Sequence, residues 1–114
     1  MILTVLERLV VLQLLPRRGD LTTLRIVRDL ERDLSFSEEE HAALNFRKEG
    51  TATRWNEGVV PDKEAEIGAV GQQLVVDGLM AAEQSGREFD ISILELCDKL
   101  GYEGIDGDAD KRDD

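Results

Sequence analysis

Hydrophobic residues recur at helical spacing along the first third of the chain. The first run, from about Leu3 to Leu15, is apolar on nearly every side, as expected of a helix at the centre of a small core. The second run begins at an Asp20 or Thr22 cap, and its apolar side chains lie three and four residues apart: Leu24, Val27, Leu30 and Leu34. The pattern predicts two helices, separated by a short loop that contains a proline and a glycine.

A third, short helix is predicted from its start signals. Ser37 is a favourable N-cap residue, and Glu40 stands three positions later, as in a capping box. Phe36 is placed to pack onto His41 or the residue after it, and the three consecutive glutamates at 38–40 suit the positive end of the helix dipole. We expect this helix to end near Leu44.

The pattern of polar and apolar residues changes after the third helix. Over residues 44–56 polar and apolar side chains alternate on both sides of Gly50, with no helical period. Glycine adopts the positive φ that tight hairpin turns require. The segment therefore predicts a β-hairpin at about 44–56.

A long fourth helix is predicted from about Asp62 to Gln84. One stripe of this helix consists of apolar or small residues: Ile67, Val70, Gly71, Leu74, Gly78 and Ala81. Glycine costs about 1 kcal/mol relative to alanine in a helix interior, so Gly71 and Gly78 indicate close packing against another helix. The neighbouring helix is either in the same chain or in a second copy, which makes a homodimer through this helix one of the expectations.

A last helix, capped by Asp90, extends to about Leu100. The fold class predicted is therefore mainly α (α+β): about five helices with one small β-hairpin after helix 3. Three helices followed by a hairpin give a winged-helix-like outline, which is an analogy of architecture and not of function. We expect a single helical domain over residues 1–102 and an acidic, flexible tail over residues 103–114.

Composition excludes several classes of site. With one histidine and one cysteine, the 114 residues cannot supply the four ligands of a structural zinc site or form an intrachain disulfide. Aromatic residues make up 4%, too few for a platform that stacks single-stranded nucleic acid. The apolar N-terminal run is interrupted at Glu7 and Arg8, so we expect no signal peptide, no membrane segment and a cytoplasmic location.

Individual reactive residues give little support for catalysis. His41 and Glu38 are three positions apart, but two ligands do not make a metal site. Cys97 lies on the apolar face of the last helix and is expected to be a buried structural residue. The segment Asp106–Asp110 resembles the start of a calcium loop without its turn glycine or final glutamate. We therefore predict no enzyme activity, no catalytic residue, no bound metal and no cofactor.

Charge is distributed unequally between the two halves of the chain, whose total is -11. Residues 1–60 hold nine basic and ten acidic side chains, whereas residues 61–114 hold five basic and fifteen acidic ones. An acidic field repels a polyanion, and the glutamates at the start of helix 3 would face phosphates, so we do not expect nucleic acid as the partner. The alternative, nucleic-acid binding through the second helix and the hairpin, would use these basic residues: Arg25, Arg28, Arg32, Arg47, Lys48 and Arg54.

Binding to another protein is the function that the sequence favours. Carboxylates dispersed over the acidic half could also imitate nucleic-acid phosphates and inhibit a partner that has a basic groove. Trp55 is either a partner anchor or part of the packing between hairpin and helices, since tryptophan is enriched at binding hot spots. The partner-binding residues predicted are Glu64, Glu66, Asp77, Glu83 and Trp55.

Parts of the chain resemble a group of small, uncharacterised phage and prophage proteins. The resemblance covers roughly residues 3–82 and rests on Leu3–Leu9, Leu15–Pro16, Thr23–Arg28, Leu34–Glu40, Arg54–Glu57, and Glu64, Glu66, Ile67 and Gly68. The group has no assigned activity. The resemblance implies a setting, namely a phage-encoded accessory protein that acts on a host or phage protein in the host cytoplasm.

Overall fold

The structure, a computed structural model, describes residues 1–105. Within them the elements follow in the order β1 (Ile2–Leu3), α1 (Val5–Leu14), α2 (Leu21–Leu34), α3 (Glu38–Leu44), β2 (Arg47–Glu49), β3 (Ala52–Arg54), β4 (Lys63–Glu64), α4 (Gly68–Gln84), a 3-10 turn (Ile91–Ile93) and α5 (Leu94–Leu100). β2 pairs with β3 and β1 with β4, both antiparallel. The predicted mainly α fold, with five helices and a hairpin after the third, is confirmed.

The predicted caps form as the local sequence requires. The Asp20 side chain accepts a hydrogen bond from the Thr23 backbone N–H at 2.8 Å, and Ser37 and Glu40 form a reciprocal capping box. Gly50 adopts a φ of 64° in the hairpin turn. α1 begins two residues later than predicted, because the residues before its Thr4 cap are extended in β1.

The start of the fourth helix was predicted wrongly. Residues 63–64 form β4 and pair with Ile2 and Leu3, and the helix begins only at Gly68, whose φ is 73°. Ala65 and Ile67 are buried, whereas Glu64 and Glu66 are exposed, which is the period-two alternation of an extended segment. The Ala65 backbone N–H also donates to the Met1 carbonyl at 2.9 Å. These bonds to the chain start outweigh the short-range helical pattern.

α4 packs against α1 and α2 through its small residues. A Cβ added to Gly78 would lie 2.6 Å from the Leu14 carbonyl oxygen, and one added to Gly71 would lie 3.1 Å from a methyl of Leu30. Gly71 and Gly78 are therefore packed inside the chain, and the homodimer stays a prediction. Val70, assigned to the stripe, is exposed. The main hydrophobic core consists of Leu3, Val11, Leu14, Leu15, Val27, Leu30, Leu34, Ala65, Ile67, Val75, Leu79 and Leu96.

A buried arginine joins α1 to the α2–α3 junction. Arg8 is 1% exposed, donates to the backbone carbonyls of Leu34 and Ser35, and forms a salt bridge to Glu40 at 2.9 Å. Its guanidinium also stacks over the Phe36 ring, 4.0 Å from the centroid. No local pattern in the sequence predicts this arrangement, because Arg8 and Glu40 are 32 residues apart.

Edge-to-face aromatic contacts continue from this junction to the hairpin. Phe36 contacts His41, as predicted, and also Phe46, which in turn contacts Trp55 at a centroid distance of 6.1 Å. Trp55 is thus half-buried against the hairpin. The contacts fix the hairpin to α3.

The Arg8–Glu40 pair makes the free energy of unfolding depend on pH in the acidic range. Hydrogen bonds from Arg8 and from the Ser37 backbone lower the pKa of Glu40 from 4.5 to about 2. A carboxyl whose folded pKa is depressed stabilises the fold above its unfolded pKa, and this stability is lost as pH falls from 4.5 to about 2. We expect Glu40→Gln to make the free energy of unfolding, measured by urea titration, less dependent on pH in that window.

The matched control for this prediction is Glu39→Gln, because Glu39 is an exposed acid of the same helical turn. Glu39→Gln changes the charge of that turn without touching Arg8. An acid dependence that is the same in Glu40→Gln as in the unaltered chain would contradict the prediction.

Most of the predicted acidic tail, including the loop-like segment Asp106–Asp110, lies outside the described residues. Its first residues are held against α4: the Ile105 backbone N–H donates to Glu83 Oε2 at 3.0 Å. The division between domain and tail at residue 103 stays a prediction.

Candidate functional site

An open apolar groove lies between the C-terminal half of α4 and the segment that contains the 3-10 turn and α5. Its cavity has a volume of about 530 Å³. Apolar side chains from both sides line it: Leu79, Phe89, Ile91, Ile93, Leu94, Cys97 and Tyr102. Leu96 is fully buried in the core, whereas Ile91 on the 3-10 turn and Leu94 at the start of α5 are exposed.

Large exposed hydrophobic residues concentrate at this groove. Ile91 is 80% exposed and Leu94 is 55% exposed, and both line the cavity. Met80 and Ile105, also exposed, line an adjoining depression that shares Tyr102 with the groove. Four of the eight exposed large hydrophobic residues in the described part of the chain therefore stand together. An exposed apolar cluster of this kind marks an interaction site, whereas single exposed residues do not.

Carboxylates surround the apolar floor. The acidic residues that line the groove are Glu83, Asp90, Asp98 and Glu103. Over residues 61–105 the sequence holds ten acidic side chains and three basic ones. Hydrogen bonds from the Ser92 hydroxyl and backbone lower the pKa of Asp90, which keeps this carboxylate charged. The groove thus presents negative charge around an apolar centre.

Glu83 and Tyr102 hold one wall of the groove in place. The Tyr102 hydroxyl donates a hydrogen bond to Glu83 Oε2, and burial together with Glu83 raises the pKa of Tyr102 above its ordinary value. Cys97 is half-buried rather than fully buried, and burial, with help from Glu83 and Asp98, raises the pKa of its thiol. A thiol that stays protonated is a poor nucleophile. Cys97 therefore contributes apolar surface to the groove.

The predicted partner-binding residues do not come together. Glu83 alone lies in the groove. Glu64 and Glu66 line a separate shallow depression beside α2, where Glu64 pairs with the Met1 amino group at 2.9 Å. Asp77 accepts a hydrogen bond from Gln73 on exposed surface, and Trp55 lies at the hairpin.

The basic residues of the nucleic-acid alternative lie on α2 and on the hairpin, all exposed. Three of the six are engaged locally. Arg28 pairs with Asp29, Arg54 pairs with Glu49 at 3.3 Å, and Arg47 donates to the Asn45 carbonyl and the Asn56 side chain. Arg25, Arg32 and Lys48 complete the set.

Ile91 and Leu94 were not among the predicted site residues, although the sequence contains a signal for them. Apolar residues of the last helix at i, i+3, i+4 and i+7 are Ile93, Leu96, Cys97 and Leu100, which pack against the core, Leu96 fully buried and the other three partly buried. Ile91 and Leu94 fall outside this spacing. Hydrophobic residues outside the core-facing positions of a helix indicate exposed apolar surface.

Comparison with known proteins adds no relative: no family model, no curated protein and no solved structure matches this chain. No helix among residues 1–105 combines the length and apolar character needed to cross a bilayer. In the same residues, no three His, Cys, Asp or Glu side chains are grouped as metal ligands would be.

Proposed function

We propose that this chain is a non-enzymatic protein-binding accessory protein and that the groove holds its partner. The observation that carries the proposal is the position of Ile91 and Leu94, which are exposed at the edge of an apolar cavity. Covering such surface gains about 25 cal/mol per Å² of apolar area removed from water. The proposal includes the setting that the resemblance implies, a phage-encoded protein in the host cytoplasm. One version of the proposal is that the protein acts as an acidic mimic of nucleic acid.

The occupant proposed is an amphipathic helix of the partner, with basic residues beside its apolar stripe. The cavity, with a volume of about 530 Å³, has room for several apolar side chains, and an amphipathic helix bound in a groove presents such side chains along one stripe. The rim carboxylates Glu83, Asp90 and Asp98 favour lysine or arginine at the edges of that stripe. Apolar contact supplies affinity, and charge supplies orientation and rate of association.

The first test removes the exposed apolar surface. Ile91→Ser combined with Leu94→Ser is expected to weaken binding at least tenfold, since burying each aliphatic side chain is worth about 1.5–3 kcal/mol. The matched control is Leu21→Ser, because Leu21 is 70% exposed on α2 and lies outside the groove. Binding is measured by fluorescence anisotropy of a labelled synthetic helical peptide of leucine and lysine.

A second peptide, in which glutamate replaces lysine, tests the charge of the rim. We expect it to bind at least tenfold more weakly than the lysine peptide at low salt, with the difference shrinking as salt screens the charges. Equal binding of both peptides, or binding that survives the Ile91→Ser and Leu94→Ser changes, would overturn the proposal.

The partner itself is sought by capture from cytoplasmic extract with nuclease present. A protein retained at stoichiometric level by the unaltered chain and by Leu21→Ser, but lost with Ile91→Ser and Leu94→Ser, supports the proposal. The proposal that the chain is a nucleic-acid mimic is supported if that protein normally binds nucleic acid in a basic groove. Recovery of nucleic acid instead, lost when nuclease is added, supports the alternative through Arg25, Arg28 and Arg32.

A further inference from the structure

Residues 102–105, which we call the strap, follow α5 and lie against the C-terminal half of α4. The turn that leads into the strap is at Gly101, the C-cap of α5, whose φ is 71°. Tyr102, Glu103 and Gly104 line both the groove and the adjoining depression that contains Met80. The strap is therefore a wall that the two cavities share.

One carboxylate of α4 holds the strap at both of its ends. Glu83 Oε2 accepts hydrogen bonds from the Tyr102 hydroxyl and from the Ile105 backbone N–H, the latter at 3.0 Å. Between these two donors, Gly104 has a φ of 101°, and a Cβ added to it would lie 3.4 Å from Glu83 Oε1. The Tyr102 ring also packs against the core, whereas Ile105 is 45% exposed. The strap thus bends around the Glu83 side chain, and its Ile105 end is the more exposed one.

The strap divides one face of α4 into two parts. Val76, Leu79, Met80 and Glu83 stand at i, i+3, i+4 and i+7, the spacing of residues on a single helix face. Leu79 and Glu83 line the groove on one side of the strap, and Val76 and Met80 line the depression on the other side. A partner helix can cover this whole face only if the strap moves away from it.

We propose that the strap is autoinhibitory: it covers part of the α4 face to which the partner helix binds, and the bound partner displaces it from Glu83. The inference rests on the proposed function, because the displacing ligand is the basic amphipathic helix assigned to the groove. Displacement frees the Glu83 carboxylate to accept a charge-assisted hydrogen bond from a lysine of that helix, which replaces the bonds that the strap gives up. The apparent affinity for the partner is then reduced in proportion to the fraction of chains in which the strap is open.

Two variants that weaken the strap should strengthen binding of the labelled leucine–lysine peptide. Tyr102→Phe removes the hydroxyl donor and keeps the ring that lines the groove. Gly104→Ala places a Cβ at a φ of 101°, which residues with side chains rarely adopt. Each variant should lower the Kd by about threefold or more, because a larger fraction of chains is open before the peptide binds. Unchanged or weaker binding in either variant would overturn the inference, since a fixed wall that contacts the peptide gives that result.

The matched controls make the same chemical changes outside the strap. Ser85→Ala removes a hydroxyl that donates to the Ala82 carbonyl at the end of α4. Gly86→Ala replaces a glycine whose φ is 84° and whose added Cβ would meet nothing within 4 Å. Ser85 and Gly86 line neither the groove nor the depression, so both controls should bind the peptide as the unaltered chain does. Binding that tightens equally in the controls would contradict the assignment to the strap.

Amide hydrogen exchange at Ile105 follows the strap directly, because the Ile105 N–H donates to Glu83 only while the strap is closed. Without peptide, this amide should exchange about fivefold faster in Tyr102→Phe than in the unaltered chain, whereas the Leu96 amide in α5 should not change. Saturating peptide should remove the protection of the Ile105 amide in the unaltered chain. Peptide that binds while this amide stays protected would overturn the inference and leave the proposed function standing. Peptide binding to none of the chains would overturn both.

Discussion

Arg8→Ala is expected to lower the free energy of unfolding by about 3 kcal/mol, the low end of the range for a buried ion pair, because Arg8 is buried but Glu40 is 28% exposed. The change leaves the carbonyls of Leu34 and Ser35 without their side-chain donor and leaves Glu40 without its counter-ion. It also removes the guanidinium that covers Phe36. Because small domains have total stabilities of about 5–15 kcal/mol, the loss is a large fraction of the whole. Urea unfolding followed by far-UV circular dichroism measures it.

Two further substitutions separate the burial of this arginine from its charge. Arg17→Ala removes an exposed arginine whose salt bridge to Glu31 is solvated, so it should cost no more than about 1 kcal/mol. Arg8→Lys retains the charge but not the planar fork that reaches two carbonyls and a carboxylate together, and should recover less than half of the loss. If Arg8→Ala and Arg17→Ala had equal effects, the junction would not depend on Arg8.

Gly78→Leu is expected to destabilise the chain by about 3 kcal/mol or more. The first added atom already lies 2.6 Å from a backbone oxygen of Leu14 and 3.1 Å from its Cβ, so α1 or α4 must move. Overpacking of this kind costs about 1–3 kcal/mol for small additions. Gly78→Ala should lose less, about 1–2 kcal/mol, because alanine recovers about 1 kcal/mol of helix propensity. Thermal and urea unfolding measure both variants.

The matched control for this prediction is Gly19→Ala. An added Cβ there meets Thr23 at 3.4 Å, an ordinary contact, so stability should change by no more than about 0.5 kcal/mol. The same variants test the role of the glycine stripe. If Gly78→Leu converted a dimer into a stable monomer, the stripe would act between chains, contrary to the packing against Leu14.

Local elements were predictable because the interactions that define them span three or four residues. The Asp20 cap, the Ser37–Glu40 box and the turn at Gly50 each depend on side chains next to the backbone groups they satisfy. The start of α4 was not predictable in this way. The residues before Gly68 fit both the spacing of a helix and the alternation of a strand. Only the pairing of residues 63–64 with residues 2–3 makes this segment a strand.

The candidate site was predictable only in part. Sequence indicated an acidic second half and placed Glu83 on a helix, and Glu83 does line the groove. The other four predicted residues, Glu64, Glu66, Asp77 and Trp55, are distributed over other surfaces. Charge counts along the chain say how much charge a region carries, but not which carboxylates meet around one cavity.

By itself, the sequence determined the helices, the hairpin and the unequal charge of this protein, because each follows from residue type and short-range spacing. Tertiary structure alone decided the burial of Arg8 against Glu40, the burial of Glu7 beside Lys99 and the apolar groove beside Leu94. The Lys99 bond to Glu7 joins residues 92 positions apart. The packing of the helices determines which residues meet at such separations in sequence, and a local sequence pattern does not contain that information.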